Sequence, residues 1–227
     1  MKGIPVQLSK ETMQVLANFS TINSNLVIKE GNKIGTTSST KDIIAEYTST
    51  DKFDSDISIF NMNEFLGVLS AFESPDLVLD TKSMTIKQGR QKVEYIYADE
   101  ALLVTPPEKG IKFPVADITF KLPDAALSKL QKMSAILSAE DLAVIGNGKT
   151  ITLKIFDKKN PSCNEFEVDT DVATTDEFHI NFKIERLKLL PGNYTVDISN
   201  KKISRFTNDG IPLLYYVAVE SDSKFSD

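Results

Sequence analysis

The sequence predicts an α+β protein made of two similar halves, each an antiparallel sheet with two short helices on one face. Three observations carry this expectation. An amphipathic helical pattern near the start returns at the same phase 114 residues later. Short β-type runs, bounded by Gly, Asn and Asp turns, fill most of the remaining chain. A proline-containing stretch in the middle separates the two halves. The length agrees, since 227 residues suffice for one large domain or two small ones. A hydrophobic content of 41% and a mean hydropathy of −0.15 provide for an ordinary core.

The first helix follows from Leu8, Thr12, Val15, Leu16, Phe19 and Ile22, which recur at helical spacing, with Ser9 as the N-cap. Strands are expected at Leu26–Lys29, Ile43–Tyr47 and Ile57–Phe60. A second helix is expected over Asn61–Phe72, then strands at Leu77–Leu79, Met84–Lys87 and Val93–Tyr97. Asp99–Phe113 contains Pro106-Pro107 and is followed by Pro114. Consecutive prolines fix φ and remove backbone donors, so this reads as an extended connector.

Beyond it, Leu122, Ala126, Leu130, Met133 and Ile136 repeat the first helix's phase. Pro123 and Asp124 suit a first turn. Strands follow at Leu142–Ile145, Thr150–Phe156, Phe166–Val168 and Phe178–Phe182. A fourth helix over 183–190 is stopped by Pro191-Gly192, and the last strands are Tyr194–Ile198 and Leu214–Val219. Ile59–Leu66 and Asn181–Lys188 match weakly at an offset of 122, as a β-type run feeding a short helix. The domain expectation is therefore 1–98, a connector 99–113, and 114–227.

Composition restricts the chemistry. One cysteine, Cys163, excludes an intrachain disulfide framework, and one histidine, His179, argues against a histidine-ligated metal. No apolar run approaches membrane-spanning length and no secretory h-region is visible, so a reducing cytoplasm is expected. Ala143-Val144-Ile145-Gly146-Asn147-Gly148-Lys149-Thr150 ends like a phosphate-binding loop. Ala143 stands where the first glycine belongs, and the following residues read as a strand rather than a helix. Asn147-Gly148 is read as a hairpin turn. Asp51/Asp54/Asp56 and Asp169/Asp171 lack the glycine and terminal glutamate of a calcium loop and are read as solvated. No catalytic set emerges, and no cofactor or metal is expected.

The net charge of −6 argues against a tight grip on phosphates by bulk charge, and each half nets −3. The four helix segments carry six basic and four acidic side chains, a balance of +2 against −8 for the rest. Solvated helix faces and a weakly attractive lining are both compatible with that difference. Two hairpin-like segments, Lys82/Lys87/Arg90/Lys92 and Lys201/Lys202/Arg205, are also basic, and blunting of a sheet edge is a sufficient reason for them.

Several stretches, in order along nearly the whole chain, resemble the sliding clamps of T-even-type bacteriophages. They are Leu8–Thr12 with Asn18–Ser24, Phe65–Ser70, Phe113–Ala116, Leu190–Tyr194 and Tyr216–Ser223. Gly3-Ile4-Pro5 and the loop Asp157–Glu177 depart from the family pattern. The resemblance implies the DNA clamp fold with two clamp-type domains, and a homotrimeric ring around double-stranded DNA held without sequence preference. It implies a processivity factor that tethers the replicative DNA polymerase in the host-cell cytoplasm. An ATP-dependent clamp loader and late-transcription factors are implied as partners, with no membrane and no catalytic centre. By motif position and helix face, Lys10, Gln14, Asn18, Lys129, Lys132, Arg186 and Lys188 are expected to face DNA. Clamps dock partner peptides beneath the connector, which offers Leu102, Leu103 and Val104, residues that equally suit packing the connector down. The alternative readings are an oligomeric virion structural protein with a duplicated β-rich domain, and an enzyme using His179 or an acidic cluster.

Overall fold

The computed structural model describes residues 5–225. Gly3 and Ile4, part of the N-terminal departure, lie outside them. The chain forms two compact units, Met1–Ile111 and Lys112–Asp227.

In the first unit the elements run α1 (Lys10–Ile22), β1 (Leu26–Ile28), β2 (Gly31–Thr37), β3 (Ile43–Phe53), β4 (Ile57–Ile59), α2 (Met62–Ser70), β5 (Asp76–Leu79), β6 (Ser83–Gln88) and β7 (Gln91–Ile96). A 3₁₀ turn, Glu100–Leu102, follows. The strands pair antiparallel in the orders β4-β1-β2-β3 and β5-β6-β7. Ser9 caps α1 as its sequence predicts, accepting from the Thr12 N–H, and Asn61 caps α2 through the Asn63 and Glu64 N–H groups. α1 packs on α2, β2 and β3. Val15, Leu16 and Phe19 are fully buried, at about 1.5–3 kcal/mol for each such side chain. Phe65 of α2 meets Tyr95 of β7 edge-on at 5.4 Å, which ties the second helix to the outer hairpin.

The second unit contains β8 (Ile118–Leu122), α3 (Asp124–Leu137), β9 (Asp141–Asn147), β10 (Thr150–Phe156), β11 (Phe166–Ala173), β12 (Glu177–Lys183), β13 (Tyr194–Ser199), β14 (Ile203–Asn208) and β15 (Leu213–Ala218). Its antiparallel strands lie in the orders β15-β14-β13-β8 and β11-β10-β9-β12. α3 packs on β10 and β11 through Leu127 and Leu130. The expected alternation holds in β10, where Ile151, Leu153 and Ile155 are buried between half-exposed neighbours.

Three local expectations change. The fourth helix is only a 3₁₀ turn, Ile184–Arg186. It has no side-chain cap, and Leu187 leaves the helical region at ψ 56°. The Leu187 carbonyl accepts instead from Gln131 Nε2 of α3 at 3.0 Å, and Pro191 lies just beyond. The second change is the phase of α3. Ser134 is buried and donates to the Ala139 carbonyl at 2.6 Å. Two further residues turn a helix by about 200°, so Ile136, expected in the core, points outward and is 61% exposed. Finally, β2, β8 and β14 are strands that the pattern does not predict. β2 carries Gly31, Asn32, Lys33 and Gly35, all poor strand formers, and its pairing with β3 supplies what their intrinsic propensity lacks.

Candidate nucleic-acid interface

The solvent face of α1 carries Lys10, Gln14 and Thr21, all exposed, with Asn18 half-buried beside them. Its start is fixed from a distant strand, because Asp51 of β3 accepts both the N–H and the hydroxyl of Ser9. Asp51, one of the acidic residues with metal-like spacing, is thus occupied in holding a helix. α2 presents Asn63, Gly67 and Ser70, with Glu64 as its only exposed charge. The exposed face of α3 carries Ser128, Lys129, Lys132 and Ile136. Within each of α1 and α3 the residues expected on one face lie on one face, a turn apart.

The turn at Ile184–Arg186 treats its bases differently. Lys183 Nζ lies 2.7 Å from Asp141 Oδ1, and Asp141 is completely buried. Arg186 is half-buried and pairs with Glu220. Lys188 is exposed. Lys158 lies within 3.4 Å of Glu220 and 3.3 Å of Asp222, and hydrogen bonding to these carboxylates raises its pKa against the desolvation that would lower it. Periodicity carries no signal for this network, since its members come from β9, β12, the loop after β10 and the C-terminal segment.

The connector is also pinned. Leu102 is 72% exposed, Leu103 is buried and Val104 half-buried. The Val104 N–H donates to Asn25 Oδ1 at 3.1 Å. Lys29 bridges Asp56 at 3.0 Å and Glu100 at 2.6 Å, where the 3₁₀ turn begins. The Glu30 N–H, then Lys29, hold the Asp56 carboxyl below its usual pKa, and Glu100, then Asp56, raise that of Lys29.

The phosphate-loop imitation is a hairpin between β9 and β10. Gly148 takes φ +77°, and Asn147 Oδ1 accepts from the N–H groups of Lys149 and Thr150. His179 lies in β12, its backbone bridged to Lys224 and its ring edge-on to Phe156. Among the described residues no cluster of His, Cys, Asp or Glu is arranged to hold a metal ion, and no helix is long and apolar enough to cross a membrane.

Two sheet-and-helix units in one chain, with sparse bases on exposed helix faces, define a DNA clamp fold. The same fold is seen in A. fulgidus PCNA solved with the C-terminal region of FEN-1, at a TM-score of 0.72 and 11% identity, over 99% of this chain and 100% of that one. Residues 9–104 match the family model "DNA polymerase processivity factor", and residues 119–221 match "gp45 sliding clamp, C terminal". The chain is 31% identical to the sliding clamp of Vibrio phage KVP40 over 223 residues, 95% of this chain and 100% of that protein. It is 30% identical to the sliding clamp of Enterobacteria phage T4 over 227 residues, 96% of this chain and 98% of that one. The chain belongs to the sliding clamp family of T-even-type bacteriophages, the processivity factors of phage DNA replication.

Proposed function

We propose that three copies of this chain close into a ring around double-stranded DNA and tether the replicative DNA polymerase to it. The carrying observation is the character of the exposed helix faces. Lys10, Lys129 and Lys132 are spaced among Gln14, Asn18, Ser128 and Thr21 on a body of net charge −6. Weak, interchangeable phosphate contacts permit sliding, whereas a dense basic surface would hold the strand in place. A closed ring needs no grip, because topology retains the DNA.

In this reading Lys10, Gln14, Asn18, Lys129, Lys132 and Lys188 face the DNA. Arg186 joins them with its charge already met by Glu220, and so contributes less. The chain acts as two domains, 1–98 and 114–227, joined by the connector 99–113. Leu102 is the exposed apolar anchor for a partner peptide. Leu103 and Val104 support it from beneath. In the β5-β6-β7 sheet and in the β11-β10-β9-β12 sheet, one outer strand is bridged by a chain terminus segment and the other is not. Val6 bridges β5 at Leu77, and Lys224 bridges β12 at His179. Among the described residues, the outer edges of β7 and β11 have no strand partner. An open edge on this sheet in each unit suits a head-to-tail ring.

The ring works in the host-cell cytoplasm, is opened and closed by an ATP-dependent clamp loader, and supports viral late transcription through dedicated factors. It performs no chemistry itself. The test is retention on DNA after loading. The protein stays on a closed circle and leaves once that circle is cut, and equal retention on both forms would contradict holding by topology.

A further inference from the structure

Gly35 stands in the middle of β2 for no reason internal to the strand. A glycine inside a strand weakens it, and marks a positive φ, a bulge or a close approach by another segment. Gly35 is not among the glycines with positive φ. β2 pairs with β3 without interruption from Lys33 to Thr37, and the register shift lies earlier, between Gly31 and Lys33. The close approach remains, and it comes from the connector. A Cβ on Gly35 would lie 3.1 Å from Pro106 Cγ, inside the ordinary carbon–carbon contact of about 3.5–4.0 Å. Ile34 and Thr36 on either side are buried, so Gly35 shows its bare backbone on the opposite face of the strand, together with Lys33 and Thr37. Glu46 pairs with Gly35 across the ladder, and its Oε1 lies 3.6 Å from where a Cβ of Gly110 would stand. The connector therefore touches down on both members of one cross-strand pair.

The same bed is tied to the apolar residues upstream. Asn23 Nδ2 donates to the Thr37 carbonyl at 2.9 Å and to the Val104 carbonyl at 3.4 Å. Asn25 Oδ1 accepts the Val104 N–H, so Val104 is held on both sides, with Leu103 buried and Leu102 exposed. We infer that Gly35 is a positioning residue for partner docking: the gap it leaves in β2 seats Pro106, and the seated ring keeps residues 102–106 on the course that presents Leu102. This deepens the reading of Leu102 as a partner anchor and rests on it. Pro106 and Pro107 have fixed φ, so holding one ring fixes the chain around it. A partner peptide then meets an ordered connector and is spared the cost of ordering it.

The experiment compares Gly35→Val, Gly35→Ala and Gly35→Ala/Pro106→Ala. The readouts are hydrogen exchange and the polymerase concentration that gives half-maximal processive extension on the loaded clamp. Gly35→Val supplies a better strand former, so the β2–β3 ladder stays protected and the oligomer persists. Exchange of the Val104 amide quickens, and the polymerase concentration needed rises about tenfold. Gly35→Ala acts in the same direction and less. Pro106→Ala removes the Cγ that the new methyl group meets, and so restores both readouts. A glycine of purely structural importance would instead loosen the β2 amides and would not respond to the change at Pro106. Wild-type Val104 exchange and capture in Gly35→Val would overturn this inference, as would a double variant no better than Gly35→Ala. Undiminished capture in Leu102→Ala would overturn the anchor reading itself, while Val104 exchange would still report the seat.

Discussion

Ser9 donates its backbone N–H and its hydroxyl to the same oxygen of Asp51, at 2.9 and 3.0 Å. The serine oxygen in turn accepts the Thr12 N–H at 3.1 Å, so a residue of β3 fixes where α1 begins and how its face is turned. Asp51→Ala is expected to lower stability by about 1–2 kcal/mol. Denaturant unfolding checks this as a shift in midpoint at unchanged slope.

The lysines on α3 and the arginine of the 3₁₀ turn should separate by assay. Lys129 and Lys132 are exposed on α3 and make no ion pair among the described residues. Lys129→Ala and Lys132→Ala are each expected to reduce the salt slope of DNA retention by about one unit and leave the melting temperature alone. Arg186→Ala removes a charged hydrogen bond between groups only 25% and 19% exposed, so it costs about 1.5–3 kcal/mol of stability. Thermal melts beside salt titrations distinguish the two.

Leu102 and Leu103 are adjacent and should behave oppositely. Leu103 is 9% exposed, and Leu103→Ala destabilises the fold by about 2–3 kcal/mol. Leu102→Ala leaves stability unchanged and weakens capture of the polymerase by the loaded clamp. Unfolding curves and primer-extension length read the two effects.

Gly146 has no room for a side chain. A Cβ there would lie 2.5 Å from Phe178 Cε1 and 2.7 Å from the Asp176 carbonyl. Gly146→Ala is expected to cost about 1–3 kcal/mol, and faster hydrogen exchange across β9 and β12 locates the loss.

Alkali should unfold the second unit through its tyrosines. Burial pushes Tyr194 up to about 12 and raises Tyr215 as well, from an ordinary value of 10. The folded chain keeps these phenol protons where the unfolded chain releases them. Their stabilisation is therefore whole below pH 10 and lost as pH climbs through about 12. Phenolate absorbance and circular dichroism followed together should change in one cooperative step.

The helix starts were legible because a cap and an apolar period are local, and Ser9 with Leu16 and Phe19 declares α1. The edges of the pattern were less so. Ile136 fits the repeat in sequence yet points to solvent, because the closing turn at Ser134 fixes the phase of α3. Met62 and Phe65 build a helix where Ile184 and Leu187, matched to them, do not, because Asn61 caps α2 through its side chain while the turn at Ile184 has no such cap and runs into Pro191.

By itself the sequence determined the two-half plan, the hairpin in place of a phosphate loop and the acidic balance, since each follows from spacing or composition along the chain. Only the tertiary structure decided which bases remain exposed to a partner. Lys183 and Arg186 look equivalent to Lys129 and Lys132 in sequence. They meet Asp141 and Glu220 across long stretches of chain, and a charge neutralised inside the fold attracts no phosphate.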